Sequence, residues 1–172
     1  YVMHSRFVEA VKTVDKIGFS PLKTNFVVAI YVLVTMRKAN WDSRFEVYER
    51  WGWNHEMSLR AFRKFPGFMM FSGETFTKKM SFLVKDMGRP SEAIAEYPPV
   101  VAYSLEKRII PRFSVIKILK SKGVLEKNMH ISSIISIKLR KSFWRNLSLN
   151  FQNVLPFLPD VYRGVINPSN VL

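Results

Sequence analysis

The chain has 172 residues, 48% of them hydrophobic, with no cysteine and a net charge of +14. That hydrophobic content is enough to build one buried core. The missing cysteines exclude a disulfide framework and a thiolate metal site, and the longest apolar run, Phe26 to Met36, is well short of the roughly 20 residues that span a bilayer.

A first helix is expected over Val2 to Lys16, stopping at Gly18, a residue suited to the left-handed position after a helix. Ser20 and Pro21 read as the start of a second helix, with Phe26, Ile30 and Leu33 on its apolar stripe. Asn40 reads as the cap of a third, with Trp41, Phe45 and Tyr48 on one face and Gly52 beyond its end. Asn54 caps a fourth helix, which must stop near Lys64 because the residue before Pro66 is driven out of helical geometry. A fifth runs from about Glu74 with Phe76, Met80, Leu83 and Met87 inward, and Gly88 closes it.

From Ser91 the pattern repeats. Lys64 to Ser72 reads KFPGFMMFS and Glu96 to Ser104 reads EYPPVVAYS. Pro98 lies 32 residues after Pro66, and Phe76, Met80 and Leu83 match Ile109, Phe113 and Ile116 at 33. A fixed period of this size marks a stacked helical array, in which each unit buries its apolar face only against its neighbours. The second copy breaks at Pro98, continues in a helix from about Leu105 to Lys120 kinked at Pro111, and closes at Gly123. Ile131 to Ile137 reads as a turn into a last helix, Ile137 to Phe151, and Pro156 and Pro159 end regular structure. The expected fold is all-α: a solenoid of helical repeats of about 32 residues, with one domain over residues 1–164 and a tail over 165–172.

No catalytic or metal-binding arrangement is visible. His4, His55 and His130 are scattered, the glycines form no phosphate loop, and Glu46 and Glu49 read as surface partners of Arg50. The charge is informative instead. Residues 106–172 carry 12 basic and 3 acidic residues, a balance of +9, which favours a polyanion partner. The clusters are Lys107, Arg108 and Arg112; Lys138, Arg140, Lys141 and Arg145; and, in the first repeat, Arg63 and Lys64 with Lys78 and Lys79. Repeated cations along an array can track a phosphate backbone. Trp41, Trp51 and Trp53 read as core, and Trp144 as the aromatic placed to stack on a base.

Several segments together resemble the mitochondrial transcription termination factor (mTERF) family in its plant members. They are GFSP at 18–21, WDSRFEVYERWGWN at 41–54, LRAFRKFPGFMMFS at 59–72, SEAIAEYPPVVAYSLEKRIIPR at 91–112 and LPFLPDVYRG at 155–164. The resemblance implies a right-handed superhelix of mTERF-type repeats that binds double-stranded nucleic acid in a basic groove, as a regulator of organellar transcription, without metal or cofactor. It carries the groove onto Arg63, Lys64, Lys107, Arg108, Arg112, Lys138, Arg140, Lys141 and Arg145. The protein is expected to be monomeric and non-enzymatic, with no membrane or small-molecule partner, in mitochondria or alternatively chloroplasts. The chain begins at Tyr1 and is expected to be a piece of a longer protein, any transit peptide and further repeats lying upstream. Two other readings stay open: an RNA-binding factor in intron splicing or ribosome assembly, and a protein-interaction scaffold.

Overall fold

In the computed structural model, residues 2–125, 130–135, 145, 151, 153 and 155–172 are described. Among them there are helices and no strand, and they form two compact units, Tyr1–Ala102 and Tyr103–Leu172.

The first unit runs α1 (Val2–Ile17), α2 (Thr24–Thr35), α3 (Lys38–Arg50), α4 (His55–Lys64), a 3-10 turn (Pro66–Met70), α5 (Gly73–Met80) with a π-helical turn (Ser81–Asp86), α6 (Ser91–Glu96) and a second 3-10 turn (Pro98–Ala102). The second unit runs from a π-helical turn (Leu105–Ile109) into α7 (Ile110–Ser121), α8 (Ile131–Ile135), α9 (Leu158–Arg163) and a last 3-10 turn (Pro168–Asn170).

The period is visible as repeated chemistry. The Asn54 side chain accepts from Met57 N at 2.8 Å and starts α4. Phe65, just before Pro66, leaves the helix at φ −152° and ψ 82°, as the proline ring requires. Tyr97 leaves α6 at φ −128° and ψ 66°. The next helix starts both times on the serine of the aromatic-Ser pair. Ser72 Oγ accepts from Thr75 N at 3.1 Å, and Ser104 Oγ from Lys107 N at 3.2 Å. The 32-residue spacing is therefore a spacing of helix stops and caps, each satisfying backbone groups that the helix ends leave open.

Between these punctuation marks lies an aromatic core. Tyr48, Trp53, Phe68 and Phe76 are buried and stack with ring centroids 4.7 to 6.4 Å apart. Burial among these rings pushes the Tyr48 phenol pKa upward, against a smaller opposing effect of Arg44. The indole N–H of Trp53 donates to Ser91 Oγ at 2.8 Å, and that hydroxyl donates to Trp51 O at 2.6 Å. The end of α3 is thereby tied to the start of α6, the first helix of the second copy of the pattern.

Several expectations are corrected. Ser20 and Pro21 do not open α2. Lys23 N bonds to Ser20 O at 3.0 Å, so they form a turn, with Pro21 at the position whose φ it presets, and α2 begins at Thr24. Its fully buried side chains are Ala29 and Val32, whereas Phe26, Ile30 and Leu33 are half-buried. Asn40 lies inside α3, whose N-cap is Arg37. Pro111 is accommodated by the wide π turn before it, where Ile109 N reaches back five residues to Ser104 O at 3.0 Å. That widening gives its ring room against the preceding turn. Ile131–Ile135 is helix rather than turn. Pro159 opens α9 instead of ending structure, a role its preset φ suits. The last residues are not a plain tail, since Pro168–Asn170 packs against α7. The expected helix over 137–151 falls almost wholly outside the described residues.

Candidate nucleic-acid interface

In the first unit the candidate cations are engaged with their own chain. Arg63 donates to Ile17 O at 3.1 Å and pairs with Glu56 at 3.0 Å. Lys64 pairs closely with the Glu96 carboxylate and also reaches Glu96 O at 3.2 Å. Arg60 adds a 3.4 Å contact to the same carboxylate. The Lys64 hydrogen bond, then its charge, hold the Glu96 carboxyl below the usual carboxylate range. These cations join α4 to α1 and α6, capping carbonyls at helix ends. Lys64 and Arg60 keep part of their side chains in water, so a phosphate must compete with Glu96 for them.

In the second unit Lys107 is exposed on the turn that Ser104 caps. Arg108 is half-buried, its guanidinium 3.9 Å from the centre of the Tyr103 ring, a cation–π geometry that holds the head group in one place. Arg112 is different, and its assignment to a phosphate-binding groove is corrected. It is 2% exposed, donates to Ile134 O at 3.3 Å and hydrogen-bonds to Tyr162. Burial, then the charge of Arg108, lower its pKa. A guanidinium so enclosed cannot meet a phosphate without leaving the core. Lys79, read from sequence as a surface counterpart, is corrected likewise. It is 6% exposed, bonded to Val101 O at 2.6 Å and set 4.6 Å over the Phe71 ring. Lys78 does lie at the surface, paired with Glu74 at 2.7 Å.

Of the densest sequence cluster, Arg145 is exposed and in helical conformation. Lys138, Arg140 and Lys141, together with Trp144, lie outside the described residues. Other exposed cations of the second unit are Lys117, Lys122 and Arg163, the last paired with Asp160 at 2.7 Å. Among the described residues no three His, Cys, Asp or Glu side chains gather as a metal site, and no described helix is long and apolar enough to cross a membrane.

The mTERF family model matches residues 4–141. The chain belongs to the mTERF family. It is 30% identical over 80 residues to transcription termination factor MTERF15, mitochondrial, of Arabidopsis thaliana, a match covering 46% of this chain and 18% of that protein. It is 23% identical over 126 residues to transcription termination factor MTERF8, chloroplastic, of the same plant, covering 73% of this chain and 24% of that protein. The chain thus spans a quarter or less of the length of these curated relatives. No solved structure matches it. An all-α helical-repeat fold is what both the helices described and the family membership give.

Proposed function

We propose that this mTERF chain is a nucleic-acid-binding segment of an organellar transcription regulator, with double-stranded DNA as its ligand. The observation that carries the reading is a family membership coupled to a net charge of +14, concentrated in residues 106–172. Both relatives are named transcription termination factors, one mitochondrial and one chloroplastic, so the compartment proposed is an organelle. The mechanism is non-enzymatic. Exposed cations such as Lys107 and Arg145, with Arg108 held against Tyr103, contact phosphates and give affinity, while the shape of the duplex contributes selectivity. A protein bound in this way acts as an obstacle or a positioning factor on the template.

The deciding experiment is binding to mixed-sequence duplex DNA and to RNA of the same sequence at several salt concentrations. A steep fall of affinity with salt is expected on DNA. Tighter binding to RNA would move the function to RNA processing, because A-form geometry and the 2′-hydroxyl are what a protein uses to choose RNA. Affinity independent of salt would refute phosphate binding and favour a protein partner.

A further inference from the structure

Four cations, one from each of four alternating helices, reach backbone carbonyls at one recurring place. Arg6 of α1 donates to Met36 O at 3.4 Å. Arg44 of α3 donates to Met69 O at 3.4 Å. Lys79 of α5 donates to Val101 O at 2.6 Å, and Arg112 of α7 to Ile134 O at 3.3 Å. The acceptors, at 36, 69, 101 and 134, are separated by 33, 32 and 33 residues. The last three each hold the fourth position of a short helix, Pro66–Met70, Pro98–Ala102 and Ile131–Ile135. The first, Met36, is the C-cap of α2. Each donor helix is followed by a glycine at positive φ, at positions 18, 52, 88 and 123.

We propose that these side chains are a periodic latch. Arg44, Lys79 and Arg112 each fasten a carbonyl near the C-terminal end of the following repeat's short helix, Arg6 makes the corresponding contact at the end of α2, and together they set the register of the array. The assignment also makes Ile131–Ile135 the short helix of a third repeat, although it lacks the proline that opens the other two.

A five-residue helix leaves its last carbonyls without internal donors, and those carbonyls carry partial negative charge. A cationic head group matches both needs. Lysine and arginine have long apolar stems that pack in a core while the head group reaches a polar site. Finally, a buried charge that misses its acceptor is strongly unfavourable, so the head group tolerates little slippage of the short helix. Burial rises along the series: Arg6 is exposed, Arg44 half-buried, Lys79 6% exposed and Arg112 2% exposed. The rival explanation is that only the stems matter and each head group takes whichever oxygen is near.

Lys79→Met separates the two, because methionine keeps most of the stem and removes the donor. Segment-resolved hydrogen exchange on the full chain is the readout. The latch requires Ser91–Ala102 to exchange about tenfold faster or more in Lys79→Met, with α1 and α2 unchanged and with Lys79→Arg restoring protection. Should Lys79→Met fail to fold, Arg44→Met at the half-buried position reports on Pro66–Met70 in the same way. Wild-type exchange in the methionine variants, or no rescue by Lys79→Arg, overturns the latch. So does a change of about one unit in the salt dependence of DNA binding on Lys79→Met, which would make Lys79 a phosphate contact.

Discussion

Lys107→Ala isolates the phosphate-binding proposal from the fold. Lys107 is exposed, and its backbone N–H, not its side chain, makes the bond to Ser104 Oγ. Alanine keeps that N–H and has the higher helix propensity, so folding stability is expected to stay within about 0.5 kcal/mol of wild type. Binding should change in a defined way. Each phosphate neutralised on a duplex contributes about 0.9 to the slope of log affinity against log salt. Loss of one contact flattens the slope by that amount, so the affinity lost between about 50 and 200 mM salt shrinks by roughly three- to fourfold. Fluorescence anisotropy on a labelled duplex at five or six salt concentrations measures it. Arg112→Ala is the internal contrast. It removes a 2%-exposed side chain bonded to Ile134 O, so it should cost about 3 kcal/mol of stability and leave the slope of the folded fraction alone. Should Lys107→Ala keep the wild-type slope while Arg112→Ala flattens it, Lys107 is not a phosphate contact and Arg112 is.

Three other outcomes test the packing that presents these cations. Trp53→Phe loses the indole donor to Ser91 Oγ while keeping an aromatic ring beside Tyr48 and Phe76; a loss of about 1–2 kcal/mol is expected in urea unfolding. Gly88→Ala should cost about 1 kcal/mol from backbone strain alone, since Gly88 sits at φ +63° and nothing lies within 4 Å of the added methyl; an unchanged thermal midpoint would contradict it. Glu96 has its pKa depressed in the fold by Lys64. Its contribution is therefore present above the ordinary carboxylate pKa and lost as pH falls through the lower folded-state value. The stability gap between wild type and Glu96→Gln should be open at pH 6 and close as the pH falls below the ordinary carboxylate range; a gap that persists in acid would show that the Lys64–Glu96 pair is not its source.

The repeat was legible because its marks are local. An aromatic before proline must leave the helix, a serine after an aromatic caps the next one, and a glycine at positive φ ends it; Phe65, Ser72 and Gly88 behave as their residue types require. Legibility failed where two start signals competed. Ser20-Pro21 satisfies a turn as well as it satisfies a helix start, and only the turn leaves Thr24 in place to begin α2. It failed again at Lys79 and Arg112, because a cation on an amphipathic helix is assigned to water by default. The correcting signal was present. Lys79 precedes Met80 as Arg112 precedes Phe113, so these cations recur in register with core positions. A charge that keeps the period of the core has a partner within the core. The third short helix escaped notice because Ile131 stands where Pro66 and Pro98 stand in the first two.

The division of cations sharpens the electrostatic argument for a polyanion. In the first repeat Arg63, Lys64 and Lys78 have carboxylates beside them, at Glu56, Glu96 and Glu74. Residues 106–172 hold only Glu106, Glu126 and Asp160 against 12 cations, and Asp160 is taken by Arg163. Arg112 is removed from the surface account by burial and Arg108 is held against Tyr103. The cations of this stretch outnumber its carboxylates by nine, and like charges so concentrated repel one another in the folded state. A phosphate backbone relieves that repulsion and releases its own counterions in doing so. The same reasoning ranks the positions. Substitutions at Lys107 or Arg145 should move salt dependence more than substitutions at Arg63 or Lys64, where a carboxylate already occupies the place a phosphate would take.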